Sequence, residues 1–145
     1  GVDRRFQILG EFGGALIVDD YAHHPTEIRA TLSAARRGYP SRRIVALFQP
    51  HLYSRTRDFA REFAESLRVA DVAIVAPIYA AREKPIEGIS SKLIADAIEG
   101  VEFLDGTNAQ IVDELRQRLR RGDLFITLGA GDVYEVSEAL VRSIA

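Results

Sequence analysis

Apolar residues along the chain fall into two alternating kinds of stretch. Short, nearly unbroken apolar runs occupy residues 15–18, 44–48, 71–76 and 124–128. Runs of that length, apolar on successive positions, read as strands buried on both faces of a sheet. Between them, apolar side chains return three and four places apart: Ile28, Leu32 and Ala35; Phe59, Phe63 and Leu67; Leu93, Ile94, Ala97 and Ile98; Ile111, Val112, Leu115 and Leu119; Val136, Leu140 and Ile144. Each set is one stripe down a helix.

Turn chemistry sets the limits of these elements. Residues 4–12 predict a first strand, Gly13-Gly14 a tight turn, and residues 15–19 a second strand. So short a link forces an antiparallel hairpin. Pro25 suits the first position of a helix, and Gly38 and Pro40 end it. Ser90-Ser91 and the pair Thr107 and Gln110 mark two more helix starts; Ser54 or Thr56 could cap another. Residues 101–104 predict a short strand, and residues 129–132 turn the last strand into the final helix. After the hairpin, helix and strand simply alternate. The order predicts an α/β, Rossmann-like three-layer domain: a mostly parallel sheet of about six strands with an N-terminal antiparallel hairpin strand.

Composition narrows the function. The 145 residues suit one domain, 1–145, with 47% hydrophobic and 28% charged residues. A net charge of −2 gives no electrostatic case for nucleic acid or an anionic membrane as partner. No apolar run reaches the roughly 18 residues of a membrane span, no secretory signal is present, and a cytoplasmic chain is expected. Absence of cysteine excludes disulfides, thiol catalysis and thiolate metal sites. Absence of methionine means Gly1 is no translation start, which points to a piece of a longer protein. Of the 19 cationic residues 17 are Arg, the better side chain for gripping carboxylate or phosphate.

In a parallel sheet the strand-to-helix turns share one edge, where ligands bind. Those turns hold Asp20, Tyr21, His23 and His24; His51, Tyr53, Ser54, Arg55, Thr56 and Arg57; Tyr79, Arg82, Glu83 and Lys84; Gly129, Gly131 and Asp132. The opposite edge offers ordinary turn residues such as Gly38, Ser41, Gly100 and Gly122. Asp19 and Asp20 are either helix-dipole partners or functional acids, and His24 either packs or acts. His51, Arg55 and Arg57 carry more weight: arginines at a helix N-terminus oppose its dipole unless an anion is bound there. No P-loop, Gly-x-Gly-x-x-Gly or Gly-x-Ser-x-Gly is present, and no metal site is expected. The residues describe an anion-binding face without a complete catalytic set.

Four blocks then carry a resemblance: Arg4-Arg5-Phe6-Gln7; Asp19-Asp20-Tyr21-Ala22-His23-His24-Pro25-Thr26-Glu27; Phe48 through Arg57 (FQPHLYSRTR); and Leu128-Gly129-Ala130-Gly131-Asp132. In that order they resemble the C-terminal domain of the Mur ligases, over essentially the whole chain. The nearest branch joins L-alanine to UDP-N-acetylmuramate in peptidoglycan precursor synthesis. The resemblance implies an ATP-dependent ligase working through an acyl phosphate. ATP would be the cofactor, with Mg held by a missing central domain, and UDP-N-acetylmuramate and L-alanine the substrates. The UDP-sugar and P-loop domains would lie upstream, so the isolated domain is expected to be inactive. It also implies Arg5 and Asp20 for ATP, and Tyr21, His23, His51 and Arg55 for the alanine pocket. Leu52 departs from relatives with Arg there, which leaves Arg57 to supply a second guanidinium. The competing reading is a free-standing nucleotide- or anion-binding module.

Overall fold

A computed structural model describes residues 4–144. The chain runs β1 (Gln7–Phe12), β2 (Ala15–Asp20), α1 (Pro25–Gly38), β3 (Arg43–Phe48), α2 (Tyr53–Leu67), β4 (Val72–Val75), α3 (Lys92–Ala97), β5 (Val101–Phe103), α4 (Asn108–Arg118), β6 (Asp123–Leu128) and α5 (Tyr134–Arg142). The expected hairpin forms, with Phe12 opposite Ala15, and the other strand pairs are parallel. The sheet order is β1-β2-β6-β3-β4-β5. The last strand therefore inserts between β2 and β3.

Period-two alternation splits the buried strands between two cores. Ile44, Ala46 and Phe48 face Ile28, Leu32, Phe63 and Leu67 on the α1–α2–α3 side. Val45, Leu47 and Phe125 face Ile111, Leu115, Val136 and Leu140 on the α4–α5 side. This is the three-layer arrangement that the alternating order predicts.

Three expectations need correction. The first strand starts at Gln7, because Phe6 adopts φ 43° and breaks the extended run. Phe59 does not join the α2 stripe: its backbone is non-helical (φ −123°, ψ 20°) and its side chain is 45% exposed. Ile144 lies past the end of α5 and is 87% exposed, and Ile98 falls just beyond α3. All three failures occur where a kink or an end removes the turn that the spacing assumes.

The N-terminal edge of the sheet is held by charge. Asp123, 2% exposed, receives two guanidinium bonds from Arg43 (2.9 and 2.8 Å) and the N–H of Arg120 (2.8 Å). Arg36 pairs with Asp71 and Arg118 with Glu102 nearby. Part of the arginine excess is therefore structural.

Candidate functional site

The strand order places the ends of β2, β6, β3 and β4 side by side, so four turns share one edge. The turn after β2 begins with two acids that face inward. Asp19 holds the Arg4 guanidinium (3.0 Å) and accepts the Thr127 hydroxyl (2.7 Å). Asp20, 5% exposed, accepts the N–H of Phe6 (2.8 Å) and of Ala22 (2.7 Å). Together they fasten the segment before β1 to the end of β2. Burial pushes the Asp20 carboxyl up from its usual range, against the opposing pull of those N–H groups. Asp20→Asn puts an amide NH₂ where one backbone N–H needs an acceptor. Unfolding of this chain in urea should then show a loss of about 1–3 kcal/mol.

Tyr21, 44% exposed, stands at the start of a row of rings. His23 lies edge-on to it at 5.0 Å, His51 is 6.5 Å beyond His23, and Tyr79 stacks on His51 at 5.9 Å. Three turns thus meet through Tyr21, His23, His51 and Tyr79. The fourth closes in from β6. A Cβ on Gly131 would fall 2.5 Å from Gln49 Oε1 and 2.6 Å from the Tyr79 ring. The Gly-Ala-Gly turn is small so that it can approach these groups. Gln49 clasps it, its Nε2 donating to Asp132 (2.7 Å) and its Oε1 accepting the Val133 N–H (3.2 Å). Gln49 closes the β3 strand in the sequence, with nothing there to mark this task.

The second turn is the most constrained. Leu52 takes φ 72°, a conformation that costs a side-chain-bearing residue about 1–3 kcal/mol. Its N–H donates to the Tyr79 carbonyl (2.9 Å), while the Tyr79 N–H donates to Pro50 (2.8 Å). That bridge holds the bend and lets α2 begin at Tyr53. Neither Ser54 nor Thr56 is the N-cap residue, a position that falls to Leu52. Thr56 is buried and bonds back to the Leu52 carbonyl. Ser54 donates its N–H (3.0 Å) and hydroxyl to Glu83, reaching over from the loop after β4. The Ser54 hydroxyl holds the Glu83 carboxyl below its usual range. Before α3, Ser91 is the N-cap residue as expected, but its hydroxyl donates to the Ala76 carbonyl, and it is Ser90 that accepts the Lys92 N–H.

Arg55 is thereby set in the first turn of α2, where it makes no ion pair or hydrogen bond among the described residues. Its charge acts on both His24 and His51. Arg57 is two residues on, about 200° around the helix; it is exposed and pairs with Asp58 (2.9 Å). Arg57 is therefore not gathered with Arg55. His51 Nδ1 is buried and has no partner among the described residues. Burial first, then Arg55, lowers the His51 pKa; burial, His23 and Arg55 lower that of His24. Arg5 and Asp20 line a separate groove of about 420 Å³ with Phe6, Tyr21, Thr26 and Thr31, within the size range of small-molecule sites.

These imidazole shifts carry a pH dependence. The folded pKa values lie below the unfolded value of 6.5, so on acidification the unfolded chain takes up protons first. Stability present at pH 7.5 should fall as pH drops through 6.5 toward the folded values. Urea midpoints at pH 7.5, 6.5 and 5.5 measure the slope, and Arg55→Ala should flatten it by removing a shared cause.

A family model described as the Mur ligase glutamate ligase domain matches residues 4–131. A UDP-N-acetylmuramate–L-alanine ligase of Agathobacter rectalis is 50% identical over 149 residues, covering 98% of this chain and 31% of that protein. The enzyme of the same name from Salinibacter ruber is 47% identical over 147 residues, with the same two coverages. The crystal structure of a UDP-N-acetylmuramate–alanine ligase of Thermotoga maritima superimposes with a TM-score of 0.73 at 29% identity, covering 98% of this chain and 30% of that one. The chain spans about a third of the length of the curated relatives it matches. No helix among the described residues is long and apolar enough to cross a membrane.

Proposed function

We propose, because this chain belongs to the Mur ligase family and forms its glutamate ligase domain, that it is the C-terminal domain of an ATP-dependent ligase joining L-alanine to UDP-N-acetylmuramate. The observation that carries the reading is Arg55, a guanidinium with no protein anion among the described residues in the first turn of α2, beside a histidine whose buried Nδ1 has no partner among them. The pair complements a small amino acid. Arg55 would take the carboxylate in a bidentate, charge-assisted grip. His51, kept neutral at pH 7 by burial and by Arg55, offers Nδ1 to the ammonium group. Tyr21 and His23 would wall the pocket, and the amine nitrogen would be aimed at the activated muramate carbonyl. Nδ1 would take one proton from the ammonium group and so free the amine lone pair; as the C–N bond forms, the acyl C–O bond to the phosphoryl group breaks, inorganic phosphate departs, and the second proton of the amine passes to that phosphate.

ATP would supply the phosphoryl group that activates the muramate carboxylate. The groove that Arg5 lines suits the nucleotide in chemistry: a guanidinium, the Asp20 carboxylate, the Thr26 and Thr31 hydroxyls, and the apolar Phe6 and Ala30 all border it. Asp20 has its N–H partners already and keeps lone pairs for a ribose hydroxyl. The UDP-sugar site, P-loop and Mg ligands are expected in the remainder of a longer protein.

A domain exchange tests the reading. The first two-thirds of the Salinibacter ruber relative, joined to this chain, should release phosphate only when UDP-N-acetylmuramate, ATP and L-alanine are all present. The isolated chain should release none and bind ATP only weakly. A folded but inactive fusion, or tight saturable ATP binding by the chain alone, would favour the free-standing module instead.

A further inference from the structure

We propose that His23, His24 and Glu27 form a binding site for a transition-metal dication of the zinc class. One ring nitrogen from each imidazole and one Glu27 oxygen already lie within 4.8 Å of one another. Ligand atoms around tetrahedral zinc sit about 3.4 Å apart, given metal–ligand bonds of about 2.0–2.2 Å. The three groups must therefore draw together by up to about 1.4 Å. Rotation about side-chain bonds can do this, since His24 is exposed and the Glu27 side chain is 41% exposed.

The backbone beneath them is fixed. Pro25 opens α1 directly after the two histidines, and Glu27 accepts the N–H of His23 (3.2 Å) and of His24 (3.1 Å). Both bonds fall on Oε1, which leaves Oε2 for a ligand. His23 Nδ1 lies 3.0 Å from the Tyr21 carbonyl. With its proton donated there, the lone pair is on Nε2, and a backbone carbonyl on the far nitrogen is the usual support of a metal-bound imidazole.

Two charges oppose a cation here: Arg55 and the positive end of α1. They set the selectivity. Magnesium and calcium, held by charge and preferring oxygen, are excluded. Zinc, nickel and copper, which gain most from imidazole nitrogen, are retained. Three protein ligands leave a coordination position open to solvent. Because His23 also walls the proposed alanine pocket, a filled site should block that pocket; this consequence rests on the ligase reading, whereas metal binding itself does not.

The test is a zinc titration of this chain at pH 7.5 against a chromophoric chelator, with magnesium in parallel. One zinc per chain in the micromolar range is expected, with no magnesium binding at millimolar concentration. His24→Ala and Glu27→Gln should each weaken zinc at least tenfold, and Arg55→Ala should tighten it several-fold. The amide introduced by Glu27→Gln keeps an oxygen for the two backbone bonds, so circular dichroism should report an intact fold. Absence of saturable binding, equal binding by wild type and both ligand variants, or magnesium binding as tight as zinc would each overturn the site. No nucleotide or ligase activity enters the titration, so it fails separately from the functional proposal.

Discussion

Replacing Arg55 by alanine in a complete ligase of the proposed kind should lower kcat/KM for L-alanine by about 10²–10³-fold, the equivalent of losing a charge-assisted grip. Most of the loss should fall on KM, because the carboxylate is held alike in ground and transition states. Arg55→Lys should recover only part of it, since an ammonium keeps the charge but not the two-pronged geometry. The stability readout makes the test discriminating. A cation in the first turn of α2 opposes the helix dipole, so its removal should leave the melting temperature unchanged or raise it by the equivalent of about 0.3–1 kcal/mol. A structural arginine would behave the other way. Normal alanine kinetics combined with a destabilised domain would remove Arg55 from the site.

The largest stability effect is expected at the opposite edge. Asp123→Ala should lower the stability of this chain by about 2–4 kcal/mol and its melting temperature by about 8–12 °C. The side chain is 2% exposed and satisfies Arg43 through two bonds and the Arg120 N–H through a third. Alanine leaves the N–H without its partner and a guanidinium, 29% exposed, without its counter-ion. That cost is moderated because Arg43 can still reach water. Asp123→Asn, which retains one acceptor, should fall between. Asp123 and the site turns lie at opposite ends of β6, so alanine affinity in the folded ligase should not change. A stability loss below about 1 kcal/mol would show the pair to be an ordinary surface ion pair.

Asp20 illustrates how far residue type can be read without contacts. An acid in a strand-to-helix turn reads as a ligand, yet its carboxylate is also an internal fastening for Phe6 and Ala22. Asp19 is wholly so, between Arg4 and Thr127. The Arg4 guanidinium lies 5.4 Å from the Tyr21 ring that starts the row and 4.8 Å from Tyr134, a task that residue type alone does not show. Gln49 and Glu83 could be placed on this edge from the sequence, but not the groups they hold, because each acts on a turn more than 25 positions away. Arg55, in contrast, is proposed for the site from the sequence alone. A cation at a helix start violates a local electrostatic rule, and such violations can be seen one element at a time.

By itself the amino-acid sequence determined the strand–helix alternation, the opening hairpin, the two-sided burial of the central strands and the edge on which the polar and ionisable turn residues gather. All of these follow from periodicity and turn residues within about a dozen positions. Only the tertiary structure decided that β6 inserts between β2 and β3, which carries Gly131 against Gln49 and Tyr79. It also decided which acids face inward, and that Arg55 is among the arginines with no ion pair or hydrogen bond among the described residues. Strand neighbours and buried polar partners are chosen by the global match of apolar faces and hydrogen-bonding groups, and that match has no local signature.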